Sequence, residues 1–212
     1  MICSPSFLSS NFNKLKEEIL SVDQAKWLHF DVMDGRFVKN QTYDDKLVKE
    51  VKQYSMQFFD VHLMIENPEN YFINYVNAGA DVITFHYEAT DDPLALIKLI
   101  KEKGVLAGIS IKPDTKVDVL NDLLPHLDLI LIMSVEPGRG GQEFIFDSIN
   151  KINYLHQKRL DYNYHYYIEV DGGINLKTAK RVRNAGCDVI VVGSFLFKSS
   201  DRNSLIEELE NV

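Results

Sequence analysis

His29 and Asp31 interrupt the apolar run WLHFDVM (27–33), and His62 interrupts QFFDVHLM (57–64). A strand alternates its faces residue by residue, so His29, Asp31 and Met33 share one face while Leu28, Phe30 and Val32 share the other. Ser6 at the end of the first apolar run, His86 closing DVITFH (81–86) and Asp171 just after YHYYIEV (164–170) extend the pattern. Taken singly, such residues say little: a buried His is usually hydrogen-bonded in a core, and an Asp often caps a helix. Taken together, two imidazoles and two carboxylates late in strands that open on one mouth form a donor set for a divalent cation such as zinc, iron or manganese. His86 and Glu88 have the parity to face that mouth, but four ligands suffice without them, which leaves His86 a place in the wall or behind a ligand. Asp34, of opposite parity and followed by Gly35, suits a turn. Met33, Met64 and Met133 also end apolar runs; methionine fills irregular core space, and the same side chains would keep water from a reacting centre.

Glycine supplies a second signal. EPGRGGQ (136–142), DGG (171–173) and GS (193–194) each follow an apolar run. Glycine lets backbone approach a ligand closely and aim N–H groups at an anion. The residues singled out for a phosphate are Gly138, Arg139, Gly140, Gly141, Gly172, Gly173, Gly193 and Ser194.

These residues need elements to hold them. Eight strand-like runs lie at 2–7, 26–33, 57–64, 81–86, 106–111, 127–133, 164–170 and 188–193. They alternate with helical patterns at 10–22, 43–54, 68–78, 92–103, 115–124, 144–159, 175–185 and 202–211, which implies βαβ units and a parallel sheet. NAGADVI (77–83) and NAGCDVI (184–190) each end a helix on glycine, as a left-handed residue after a helix requires, and open a strand. Eight such units in about 200 residues predict an α/β fold of the closed (β/α)8 TIM-barrel type, with a doubly wound open sheet as the alternative. In a barrel the chemistry belongs at the carboxyl ends of the strands, and loops after strands seven and eight commonly hold phosphate. No composition break divides the chain, so residues 1–212 are expected to form a single barrel domain.

Composition narrows the partners. Lys and Arg number 23 against 31 Asp and Glu, a net charge of −8, which offers no overall attraction to nucleic acid or an anionic membrane. The longest apolar run, LILIM, is far too short to span a bilayer, and the amino terminus lacks a basic segment followed by an apolar one, so a cytoplasmic protein is expected. Cys3 and Cys187 make neither a disulfide framework nor a metal spacing.

The motifs SPSFLSSNF (4–12), HFDVMDGRFVKN (29–40), DVHLM (60–64), MSVEPGRGGQEF (133–144), EVDGGI (169–174) and GS (193–194) occur in this order along the chain. In these the chain resembles the ribulose-phosphate 3-epimerase family over essentially its whole length. The resemblance implies a barrel that interconverts D-ribulose 5-phosphate and D-xylulose 5-phosphate of the pentose phosphate pathway with one divalent metal ion (zinc, iron, manganese or cobalt), in a homo-oligomer. It implies metal ligands at His29, Asp31, His62 and Asp171, with Asp31 and Asp171 also the acid/base pair. It implies substrate contacts at Ser6, His62, the 138–141 loop, Asp171, Gly172, Gly173, Gly193 and Ser194, and pocket methionines at Met33, Met64 and Met133. Three positions depart from the family pattern: Lys39 in FVKN, Lys112 in IKPDT and Arg139 in PGRGG.

The chemistry agrees with the residues. Inverting a carbon beside a ketone removes its proton from one face and returns one to the other, for which two carboxylates from opposite strands are suited, one ionised and one protonated. The cis-enediolate between the two steps needs its charge stabilised, which a divalent ion can do. One alternative shares this machinery, a 3-epimerase of a six-carbon ketose phosphate such as allulose 6-phosphate; another, a non-catalytic phosphosugar-binding barrel, would have no need of both aspartates and both histidines.

Overall fold

The computed structural model describes residues 1–212, and its centre is one eight-stranded parallel sheet. The strands are β1 (Ile2–Pro5), β2 (Trp27–Met33), β3 (Phe58–Met64), β4 (Val82–His86), β5 (Leu106–Ile111), β6 (Leu129–Met133), β7 (Tyr167–Asp171) and β8 (Val189–Val192). Each pairs with its sequence neighbour, β1 pairs with β8, and a parallel bridge between Ser6 and His29 closes the seam between β1 and β2. The closed barrel replaces the doubly wound alternative.

The helices are α1 (Leu15–Leu20), α2 (Asp45–Lys52), α3 (Phe72–Ala78), α4 (Pro93–Glu102), α5 (Ser148–Tyr162), α6 (Leu176–Asn184), α7 (Ser194–Phe197) and α8 (Arg202–Asn211). One expectation fails: 115–124 forms no α-helix but ends in two 3-10 turns, Val117–Leu120 and Leu124–His126. Pro113 and Pro125 bracket that stretch, and proline both restricts the residue before it and withholds an amide donor. The helix expected at 10–22 shortens to α1, preceded by 3-10 turns at Phe7–Ser9 and Phe12–Lys14, and α7 was not foreseen. Both NAG glycines take the left-handed conformation, Gly79 after α3 and Gly186 after α6, each at φ +99°.

Strand parity sorts the layers as the sequence suggests. Leu28, Phe30 and Val32 of β2 join the large core between sheet and helices, with Ile19, Val48 and Val51. Trp27 points inward, packing with Val82, Leu129, Leu131 and Val189 inside the barrel. Across the amino-terminal end of the barrel one device recurs. Asp81, Asp128 and Asp188, each just ahead of a strand, accept the backbone N–H of Phe59, Ala107 and Ile168 on the strand before. Each is held by a helix-borne cation, Lys52, Lys101 and Arg159 respectively.

Candidate active site

Sheet register brings the predicted ligands together. In the β2–β3 pair Asp31 lies beside His62 and His29 beside Asp60, and in the β6–β7 pair Met133 lies beside Asp171. One donor atom from each of His29, Asp31, His62 and Asp171 falls within 4.8 Å of all the others. Asp31 Oδ1 is 3.3 Å from both His29 Nε2 and His62 Nδ1, longer than a good hydrogen bond, while Ser6 Oγ donates to Asp31 Oδ2 at 2.8 Å. His29 Nδ1 contacts Asp60 Oδ2 on the far side of the ring. A carboxylate that takes the Nδ1 proton turns Nε2 toward the cluster, the usual support for a metal-binding histidine. Two nitrogens and two carboxylates converging in this way fit a first-row divalent ion.

Burial opposes every charge here, so the neighbours decide which groups ionise. At Asp31 the cost of burial is outweighed by His29 and by hydrogen bonding to His29 and His62, and its carboxyl lies far below the ordinary range. At Asp171 burial and the Asp31 charge push the carboxyl up to about 7, with His29 offsetting only part. His29 resists its burial through Asp60 and Asp31, and its pKa rises well above that of a free imidazole. His62 shifts the other way, because burial outweighs the pull of Asp31. The two carboxylates of the cluster are thus pushed apart, Asp31 far down and Asp171 up to about 7, a separation of the kind that suits one carboxyl to act as base and another as acid.

A cavity of about 560 Å³ opens above this cluster. Asp31, Asp171, Met33, Met64 and Met133 line it, with Ser6, Gly138, Arg139, Gly140, Gly141, Gly172, Gly173, Gly193 and Ser194 around it. The glycines after β7 have a steric reason: a Cβ on Gly172 (φ +120°) would stand 2.5 Å from Val135, and one on Gly173 (φ +64°) 2.5 Å from the Phe144 nitrogen. His29 and His62 are fully buried, and neither is among the residues that line the cavity. His86 stands behind the cluster, its Nε2 2.9 Å from His62 Nε2. Asp34 accepts the N–H groups of Arg36, Phe37 and Glu66 and shapes the loop, as its parity suggests. Of the three family-atypical residues, Arg139 lines the cavity, Lys112 holds its ammonium 4.1 Å from the centre of the Phe37 ring, and Lys39 is exposed.

Several contributors escaped the sequence reading. Asp60 and Glu169 are fully buried below the cluster; Asp60 holds His29, and Glu169 is pushed well up in pKa by burial and by Asp60. Their signal was available, since Asp60-Val-His62 and Glu169-Val-Asp171 repeat the spacing of His29-Phe-Asp31. Ser134 donates its hydroxyl to the carbonyls of Asp171 and Gly172 at 2.8 and 2.7 Å, fixing the turn that carries the second carboxylate. Lys198 adds a cation to the cavity wall.

Comparison with known proteins agrees with this arrangement. A sequence model of the ribulose-phosphate 3-epimerase family matches residues 2–197. Ribulose-phosphate 3-epimerase of Candida glabrata is 43% identical over 223 aligned positions, covering 97% of this chain and 89% of that one. The enzyme of that name from Treponema pallidum is 40% identical, covering 97% and 95%. Among solved structures, 3-hexulose-6-phosphate synthase from Salmonella typhimurium superposes with a TM-score of 0.72 at 18% identity, covering 100% of this chain and 97% of that one. KGPDC from Streptococcus mutans, in complex with D-R5P, superposes at 0.75 with 14% identity, covering 99% and 95%; at such identities both share the fold alone. On the match across its length and the identity to these relatives, the chain belongs to the ribulose-phosphate 3-epimerase family.

Proposed function

We propose that this chain is an isomerase that inverts C3 of D-ribulose 5-phosphate to give D-xylulose 5-phosphate, within one barrel domain of residues 1–212. The observation that carries the reading is the pair Asp31 and Asp171, brought from β2 and β7 to one cluster, with the Asp31 carboxyl far below its ordinary range and the Asp171 carboxyl pushed up to about 7. Asp31, ionised and steadied by Ser6, takes the proton from C3 on one face. Asp171, which takes up the site's second proton when the sugar phosphate is bound, delivers it to the other face; the reverse reaction exchanges the roles. After one forward turnover the proton rests on Asp31 and must return to Asp171 before the next.

His29, Asp31, His62 and Asp171 would hold one divalent ion, zinc, iron, manganese or cobalt, which when bound stabilises as a Lewis acid the negative charge that builds on the substrate oxygens. Met33, Met64 and Met133 keep water from the reacting carbon. Gly138, Arg139, Gly140, Gly141, Gly172, Gly173, Gly193 and Ser194 bind the phosphate, remote from C3, and their binding energy orients the ketone over the carboxylates. Small sugar phosphates, not nucleic acid or membrane, are then the partners; no helix is long and apolar enough to cross a membrane. A homo-oligomer in the cytoplasm belongs to the same proposal, with exposed Leu160 and Tyr162 of α5 available on the helical exterior.

Incubation of the metal-loaded protein with ribulose 5-phosphate in deuterated water tests the reading. Xylulose 5-phosphate should form with deuterium at C3. Faster turnover of allulose 6-phosphate would reassign the substrate, and binding without turnover of either sugar would refute the enzyme.

A further inference from the structure

Behind His62 a line of polar groups runs outward through the wall of the barrel, and the reaction described above makes no use of it. His62 Nε2 lies 2.9 Å from His86 Nε2, and His86 Nδ1 lies 3.3 Å from Glu88 Oε2. Both imidazoles are fully buried. Glu88 is itself anchored: its Oε1 accepts the Lys112 N–H at 2.9 Å and the Thr115 hydroxyl. The loop that supplies those donors is pinned in turn by Lys151 of α5, which is buried and gives its ammonium protons to the carbonyls of Lys112, Pro113 and Thr115.

The direction of the hydrogen bonds in this line follows from its outer end. A carboxylate whose other oxygen already accepts two donors has only acceptor capacity to offer His86, so His86 Nδ1 must be the donor. A neutral imidazole carries one N–H, which leaves His86 Nε2 a lone pair. The proton in the contact between the two rings therefore belongs to His62 Nε2, and His62 is left with a lone pair at Nδ1. That lone pair faces Asp31 Oδ1 at 3.3 Å, where two acceptors stand opposed unless a cation lies between them.

We propose that Glu88 and His86 are positioning residues that fix the tautomer and orientation of His62, so that Nδ1 is the ligand atom presented to the metal. The proposal rests on the metal reading above and adds a residue pair, on β4 and just after it, to the two strands that carry the histidine ligands. It also separates the two histidines by their supports: Asp60 inside the barrel steadies His29 directly, whereas His62 is steadied from the loop after β5 through a second imidazole.

Nitrogen-15 NMR of the zinc-loaded protein reads the tautomers directly. His86 should carry its proton on Nδ1 and His62 on Nε2; a His86 protonated on Nε2 while zinc is bound overturns the proposal. Glu88→Gln should weaken zinc binding, measured by competition with a chromophoric chelator, by about 10–100-fold. Thr115→Val loosens the same carboxylate without touching His86, and should leave zinc affinity within about threefold and both tautomers unchanged. A Glu88→Gln protein that binds zinc as tightly as the parent, or a Thr115→Val protein that loses as much affinity, assigns Glu88 to loop structure and overturns the proposal. Failure of the parent protein to take up zinc, manganese or cobalt would overturn the metal reading itself, a result distinct from the others.

Discussion

In the proposed reaction Asp31 joins three demands in one side chain: a ligand oxygen, an ionised base and the acceptor of the Ser6 hydroxyl. Its environment makes these compatible, because His29 and His62 favour the charge that burial opposes. Asp171 shares the site without sharing that support, and the Asp31 charge adds to its burial in holding the proton on. The difference between them is therefore one of neighbours, since both are aspartates facing the same cavity. Asp31→Asn removes the base and should lower turnover by about 10²–10⁴-fold in a protein that still folds and binds the sugar phosphate. Initial rates with ribulose 5-phosphate check it, and a loss of less than tenfold would refute the base assignment. His86 shows what the sequence left open at this scale: its parity marked it as facing inward but could not distinguish a wall residue from one behind a ligand.

At the scale of elements, the barrel divides its tasks between its two ends. The carboxyl ends of the strands carry the cluster and the glycine turns. The amino-terminal end carries the repeated device in which an aspartate ahead of one strand accepts an amide from the strand before and is gripped by a cation from a helix. Asp188 is the fullest case, bonded to Ile168 N at 2.8 Å and to both terminal guanidinium nitrogens of Arg159. Asp188→Ala leaves the Ile168 amide without its acceptor and should destabilise the fold by about 1–3 kcal/mol while changing kcat less than twofold. Denaturant unfolding and steady-state kinetics on the same preparation check it; a variant that loses activity but not stability would reverse the division. The strands were legible because a buried parallel strand writes itself as a short apolar run, and several helices because they carry caps, such as the Asp92-Pro93 start of α4 and the reciprocal Asn175 and Thr178 bonds of α6. The segment 115–124 was not, because its apolar spacing resembled a helix while the prolines on either side, Pro113 and Pro125, confined it to short 3-10 turns.

For the whole molecule, metal, protons and stability are linked. The folded value of about 7 for Asp171 lies above its ordinary 3.8. Its share of the metal-free protein's stability is thus fully present below the lower value and is lost as pH rises through about 7. A cation bound to the ionised carboxylate removes that loss. Loading should also displace the proton that Asp60 and Asp31 hold on His29. The rise in Tm on loading with zinc should therefore grow steeply from pH 5 to pH 7 and more gently above it, while His29 still gives up its proton. The protons released, read by calorimetry in buffers of different ionisation enthalpy, should fall from about two below pH 7 to about one above it. A Tm difference that ignores pH would contradict the assignment of Asp171 as a ligand. The net charge of −8 does not conflict with a phosphate substrate, because the glycine turns offer backbone N–H groups locally and Arg139 and Lys198 stand at the same cavity.

By itself the sequence determined the period of each strand, the face on which His29, Asp31, His62 and Asp171 stand, the eight-unit alternation that closes a barrel and the turns that need glycine. These are local properties, fixed by the two-residue repeat of extended chain and by the steric limits of single residues. Only the tertiary structure decided which nitrogen of each imidazole faces the cluster, which aspartate keeps its proton and that Asp60, Glu169, His86 and Glu88 stand behind the ligands. Those outcomes depend on burial and on distances of a few ångströms between strands far apart in sequence, and such distances exist only once the seam between β1 and β2 has closed.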